Sequence, residues 1–185
     1  ETMTSFAQGF NQLIALGPHE IQFGILKRLR GTPIIRHTQE YQLIFDPAPP
    51  YTILANRDIP FADMQRLVRF ARYWDMVANS GRFAHSLPLL LGQAPFENFL
   101  AFSDWLFAST DATHKISLDR LSALVSQWLN LRGDLTETAI LEAGGQDYAG
   151  QAQHKQGSGR KPAKPAVADT GKARLPERQA RHLAA

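Results

Sequence analysis

Hydrophobic positions in residues 2–16 recur at helical spacing. Phe6, Phe10, Leu13 and Ile14 share one side, and Thr2 or Thr4 stands where a cap is needed. Gly17-Pro18 stops that helix. The next segment, Glu20–Leu26, alternates polar and apolar residues and is rich in β-branched and aromatic side chains, so it predicts a strand. Gly31-Thr32-Pro33 ends the following turn, and Pro33 suits the first position of a short helix through Tyr41. Gln42–Phe45 and Tyr51–Leu54 read as short strands on either side of Asp46-Pro47-Ala48-Pro49-Pro50, a rigid extended connector.

From Pro60 the pattern turns helical. Residues 61–79 carry one stripe of Phe61, Met64, Leu67, Val68, Ala71 and Trp74 and a second of Phe70, Tyr73 and Val77, as in a helix buried by more than one neighbour. Asn79-Ser80-Gly81 ends it. Phe83–Leu91 predicts a short helical piece interrupted at Pro88. Pro95 opens a helix with Phe96, Phe99, Leu100, Ser103, Leu106 and Phe107 inward, and Ser117 caps another with Leu121, Leu124, Val125, Trp128 and Leu129 inward. Leu135–Ala143 is a weaker helical stretch before Gly144-Gly145. The expected fold class is therefore mainly α (α+β). The strand at 20–26 has no obvious long neighbour: either the short strands at 42–45 and 51–54 pair with it, or its partners lie upstream of Glu1.

Charge changes the picture only at the end of the chain. Residues 1–145 hold 12 Lys/Arg and 14 Asp/Glu, a net of −2, whereas residues 146–185 hold 8 against 3, a net of +5. The basicity belongs to a segment that includes Gly157-Ser158-Gly159-Arg160-Lys161-Pro162 and almost no large apolar residue. Such a composition does not offset the entropy of ordering its backbone, so 144–185 is expected to be a disordered basic tail, with room for a short helix near Pro176–Leu183. Nothing aromatic interleaves its charges, which makes nucleic acid an unlikely partner except through this tail. There are no cysteines, which excludes disulfides, thiolate zinc sites and a cysteine nucleophile. No apolar run reaches the roughly 18 residues of a membrane span. The chain begins with Glu1 rather than Met and no charged-then-apolar leader follows it, so the expectation is a truncated cytoplasmic protein that needs no membrane.

The ordered words Glu1-Thr2, Ser5-Phe6, Leu13 through Leu16, Pro18, an alternating strand and Gly31-Thr32-Pro33 resemble the end of a radical S-adenosylmethionine barrel. Phe23-Gly24-Ile25-Leu26-Lys27, Pro49-Pro50-Tyr51 and Asn79-Ser80-Gly81-Arg82-Phe83 extend the likeness to cobalamin-binding-domain radical S-adenosylmethionine proteins with a carboxy-terminal domain of unknown function. The resemblance covers about residues 1–132. It implies that residues 1–33 are the terminal helix–strand unit of a partial (β/α) barrel and residues 34–143 a mostly helical C-terminal domain. It further implies an iron–sulfur cluster, S-adenosylmethionine and cobalamin in the full-length enzyme. The partners would then be an upstream barrel and cobalamin-binding domain of the same protein. This chain, without a cysteine, departs from the family's three-cysteine loop, so none of those cofactors is expected on it alone.

Seven residues stand out as candidates for a substrate or cofactor pocket. Gln22 and Lys27 flank the expected strand; with Gly31 and Thr32 they fall where ligands gather at the carboxyl ends of barrel strands, unless the turn merely needs those dihedrals. Asn79, Arg82 and His85 form a polar corner after the long helix: Arg82 offers a planar donor fork and His85 a titratable ring for a carboxylate or phosphate. The duller alternative is a helix stop in which Arg82 pairs with an acid such as Asp75. The six histidines show no metal-site spacing. Arg66, Arg69 and Arg72 read as a solvated rim, and Trp74, Trp105 and Trp128 as core.

Two functions follow. One is a C-terminal fragment of a cobalamin-dependent radical S-adenosylmethionine enzyme, its helical domain capping or shaping the substrate pocket and not catalytic alone. The other is a stand-alone helical RNA- or protein-interaction module with a basic tail. The second predicts nucleic-acid binding that weakens with salt and disappears when residues 146–185 are removed; a band-shift titration that is unchanged by the truncation excludes it.

Overall fold

In the computed structural model of the chain, residues 1–158 are described. Helix α1 (Met3–Ala15) starts in a capping box: Thr2 Oγ1 accepts from Ser5 N at 3.1 Å, and Ser5 Oγ accepts from Thr2 N at 2.9 Å. An extended run over residues 20–26 leads to a turn and a 3₁₀ helix (Pro33–His37). A two-stranded antiparallel sheet of β1 (Ile44–Phe45) and β2 (Ile53–Ala55) follows. The remainder is helical: α2 (Phe61–Val77), α3 (Ser86–Leu91), α4 (Pro95–Thr110), α5 (Leu118–Arg132) and α6 (Glu137–Ser158). The mainly helical class with a small sheet is the one that the periodicity predicts.

Helix α2 packs along α4 at the centre. α1 covers α4 on one side, and α3 lies against α4, α5 and α6. The second stripe of α2 is buried in full (Phe70, Tyr73 and Val77), whereas of the first only Met64, Leu67 and Trp74 are buried, Val68 and Ala71 are half-buried and Phe61 is exposed. Phe70, fully buried, meets Phe6, Phe10, Phe23, Trp74, Phe96 and Phe99 at centroid distances of 6.3, 5.2, 5.5, 6.3, 5.4 and 5.0 Å. Most of these contacts are edge-to-face or tilted, the arrangement that the ring quadrupole favours. Polar ties reinforce the join: Asn11 Oδ1 accepts from Phe96 N at 2.9 Å, supplying a partner to one of the free N–H groups at the start of α4.

Four expectations are corrected. Residues 20–26 are extended, and their side chains do alternate, with Ile21 buried, Phe23 and Ile25 half-buried and Gln22, Gly24 and Leu26 exposed. They form no strand, however, because ladder bonds begin only at their end, where Lys27 bridges Thr52 and Ile53 N donates to Leu26 O at 2.9 Å. The helix expected over 33–41 is limited to the 3₁₀ helix. Pro88 does not interrupt α3: it lies in the first turn, where its missing N–H is no loss. Finally, α6 runs through Gly144-Gly145, so residues 146–158, expected to be disordered, are helical. Gly144 packs close to α5, where an added Cβ would lie 3.6 Å from Ser126 Oγ. The remainder of the basic tail and its helix near Pro176–Leu183 lie outside the described residues.

Trp74 is buried as expected, while Trp105 and Trp128, 5.4 Å apart, are half-buried at the edge of the core. Tyr73 donates its hydroxyl to Ala112 O at 2.8 Å, and burial pushes its pKa above the ordinary 10.0. The stability from keeping this phenol neutral is present in full below the unfolded value and is lost as pH rises through the folded one. Tyr73→Phe should therefore flatten the alkaline fall in stability above pH ~10, and should cost about 1 kcal/mol at pH 7. Urea unfolding at both pH values checks this; an alkaline fall equal to that of the unsubstituted chain excludes it.

Candidate functional site

A mostly apolar pocket lies where the amino-terminal unit meets the helical part. Phe23, Gly24, Ile25 and Leu26 form one wall; Ile53, Ile59, Met64 and Leu67 form the opposite one, enclosing about 460 Å³. The wall geometry follows from the alternation of the extended segment, which turns Phe23 and Ile25 toward α2. Polar groups ring the mouth. Asn56 Oδ1 accepts from Asp58 N and Ile59 N, each at 2.8 Å, which fixes the turn that brings Asp58 to the rim. The Arg57 guanidinium lies 4.7 Å from the Tyr41 ring centre, and His37 Nδ1 lies 3.7 Å from Glu40 Oε2. Tyr41 and His37 both line the pocket, as does Glu1. This is a concave apolar site with a few convergent polar groups, the usual form of a small-molecule site. Among the described residues no group of three or more His, Asp or Glu is placed to hold a metal ion.

The seven candidates from sequence are dispersed. Gln22 and Asn79 line a shallower hollow of about 440 Å³ between the extended run and α2. There Asn79 works as a clamp: its Oδ1 accepts from Ile21 N at 3.2 Å and its Nδ2 donates to Ile21 O at 2.9 Å. Gln22 is exposed and donates to Glu20 Oε1 at 2.8 Å. Gly31 and Thr32 line a third, open hollow of about 660 Å³, with Gly31 at φ +78°, a conformation natural to glycine. Thr32 gives its hydroxyl to Leu29 O at 2.7 Å. The Lys27 side chain is exposed while its backbone bridges Thr52.

His85 meets a carboxylate through its backbone N–H, whereas Arg82 meets a side-chain amide through its backbone carbonyl and not the acid expected. Asp147 of α6, itself 6% exposed, accepts from His85 N at 2.8 Å and from Ser86 N at 3.1 Å. It serves as a cap for α3 delivered from another helix. Gln151 adds a bond from Nε2 to Arg82 O at 3.0 Å. Asp75 lies 3.9 Å from Arg72. At the other end of α3, Arg132 Nη1 donates to Leu89 O and Leu90 O at 2.8 and 3.1 Å, and Arg132 also pairs with Asp134. The polar corner is thus an anchoring point between helices.

The rim arginines of α2 are also engaged. Arg66 forms two bonds to Asp104 Oδ2, at 3.0 and 2.8 Å, and one to Asp63 at 3.1 Å; these acids raise its pKa further against the opposing pull of burial. Arg69 stacks 4.5 Å over Phe107.

A family described as "Protein of unknown function (DUF4080)" matches residues 39–157, more than half of the chain. No curated protein and no solved structure matches the chain.

The buried Asp147 carboxylate satisfies two backbone donors at once. Asp147→Ala should strand both and cost about 2–3 kcal/mol, whereas Asp147→Asn, which keeps one acceptor oxygen, should cost less. Chemical denaturation with matched m-values tests this ordering; no loss in Asp147→Ala would show that solvent replaces the carboxylate, and equal losses in the two variants would overturn the ordering.

Proposed function

The chain belongs to the DUF4080 family, and we propose that it is the carboxy-terminal part of a cobalamin-dependent radical S-adenosylmethionine enzyme whose helical domain shapes the substrate pocket. The observation that carries this reading is an open strand edge. Among the described residues, the backbone N–H and C=O groups of Phe23, Gly24 and Ile25 meet no hydrogen-bond partner, although the segment has extended geometry and strand-like alternation. An unpaired edge of this kind is a template for another strand. Apolar side chains stand beside it: Leu13 and Leu16 on α1 are 45% and 80% exposed, and Leu26 and Leu29 are 39% and 55% exposed. A preceding barrel strand and helix would supply bonds to the edge and cover these leucines together.

The pocket position supports the same reading. One wall comes from the helix–strand unit and the other from the helical part, so a substrate held by the barrel would meet Ile59, Met64 and Leu67. The chain's residues do not fit the cluster that such chemistry requires, since it has no cysteine to act as ligand. The iron–sulfur cluster, S-adenosylmethionine and cobalamin fall in this reading to the upstream barrel and cobalamin-binding domain. No reaction step is assigned to this chain.

Amide hydrogen exchange tests the proposal. In the 185-residue chain the amides of residues 22–26 should exchange fast while those of α2 and α4 stay protected. Joined to the polypeptide encoded upstream, residues 22–26 should become protected. Equal protection of 22–26 and α2 in the chain alone, or an upstream sequence without a three-cysteine cluster loop, would overturn the reading.

A further inference from the structure

Arginines elsewhere in the described body are largely committed to carboxylates. Arg57 faces Asp58, Arg66 faces Asp63 and Asp104, Arg69 faces Asp104, Arg72 faces Asp75 and Arg132 faces Asp134. Arg28, Arg30 and Arg36, like the isolated Arg82 and Arg120, meet no acid among the described residues, and these three are gathered along one open hollow of about 660 Å³. No acidic residue contributes to its lining, and the whole run from Lys27 to Arg36 contains four basic residues and no acid. This concentration arises in a body whose net charge is −2 over residues 1–145.

The hollow is also partly organised. Arg28 is half-buried, with its guanidinium 5.5 Å from the Phe45 ring centre and its N–H donated to Tyr51 O at 3.0 Å. Tyr51, which lines the hollow, is held at φ +57°, a region uncommon for a non-glycine residue and one that costs free energy where it occurs. The Thr32 hydroxyl is already given to Leu29 O, so recognition here falls to the guanidinium groups. Planar guanidinium forks match the oxygens of a phosphoryl group, and without carboxylates nearby their charge is not locally cancelled.

We propose that the hollow formed by Arg28, Arg30 and Arg36 binds the phosphoryl groups of a small anionic ligand. Its size is in the range of small-molecule sites, and Tyr51 and the exposed Ile35 give an apolar flank for the remainder of such a ligand. The site is separate from the apolar pocket, and it requires nothing of the upstream polypeptide, so either proposal can fail without the other.

Inorganic pyrophosphate titrated calorimetrically into the 185-residue chain at low salt should bind saturably, and added salt should weaken it. Replacing both exposed arginines (Arg30→Ala with Arg36→Ala) should weaken binding by about tenfold or more, while Arg120→Ala on α5 should change it by less than about twofold. Arg30→Lys with Arg36→Lys, which keeps the charge and removes the forks, should fall between. Thermal unfolding of each variant confirms that the fold is retained. Absence of saturable binding overturns the proposal, as does an equal loss in Arg120→Ala. Binding of a single-stranded RNA through these arginines that pyrophosphate does not displace would overturn it in favour of a nucleic-acid site.

Discussion

The structure depends on one cluster of rings. Phe70 on α2 is surrounded by aromatic side chains from α1, the extended run, α2 itself and α4, so removing it would open the centre of the molecule. Aromatic pairs contribute roughly 0.5–1.5 kcal/mol each beyond the area they bury. They also join α1 to α2 and α4, since Phe6 and Phe10 meet Phe70 of α2 and Phe96 of α4. Phe10 stands edge-on to both Phe70 and Trp74, at 5.2 and 4.9 Å, and this contact fixes the amino-terminal helix to the bundle. The open edge of residues 23–25 is consequently held in place by its own inward-facing side chain Phe23, even without a sheet.

Much of the helical part was legible in the sequence because the information is local. Thr2, Ser117 and Pro95 stand at helix starts, and most of the stripe positions of α2, α4 and α5 are buried or half-buried, Phe61 at the exposed start of α2 being the exception. The misreadings share a different cause. Alternation at 20–26 is a property of side chains facing a core, whereas a strand is defined by backbone partners on a neighbouring strand, and only the end of the run has those, Ile21 being held by the Asn79 side chain instead. Gly144-Gly145 reads as a stop by propensity, yet close packing on α5 and the buried Asp147 outweigh the ~1 kcal/mol that each glycine costs in a helix.

The site was less legible than the fold. Asn79, Arg82 and His85 were singled out for side chains that suit a ligand, but Asn79 holds the Ile21 backbone, and the other two positions are engaged through their main chains. Asp147, the acid that matters there, lies 62 residues from His85 in a segment whose composition resembles a tail. The rim residues His37, Tyr41, Asn56 and Asp58 form no motif in the sequence, since they converge only after the short sheet folds back on α2. The arginines at 28, 30 and 36 were visible as charges, but their lack of acidic partners is a fact of three dimensions.

Helix α3 has six residues, far fewer than a helix needs to persist in water. Both of its ends are tied by side chains from elsewhere: Asp147 of α6 at the start and Arg132 of α5 at the finish. It behaves as a strut rather than as an independent element. Because Leu90 and Leu91 of the same strut belong to the core, displacing α6 would be felt inside the protein, and the far carboxy-terminal helix is mechanically connected to its aromatic centre.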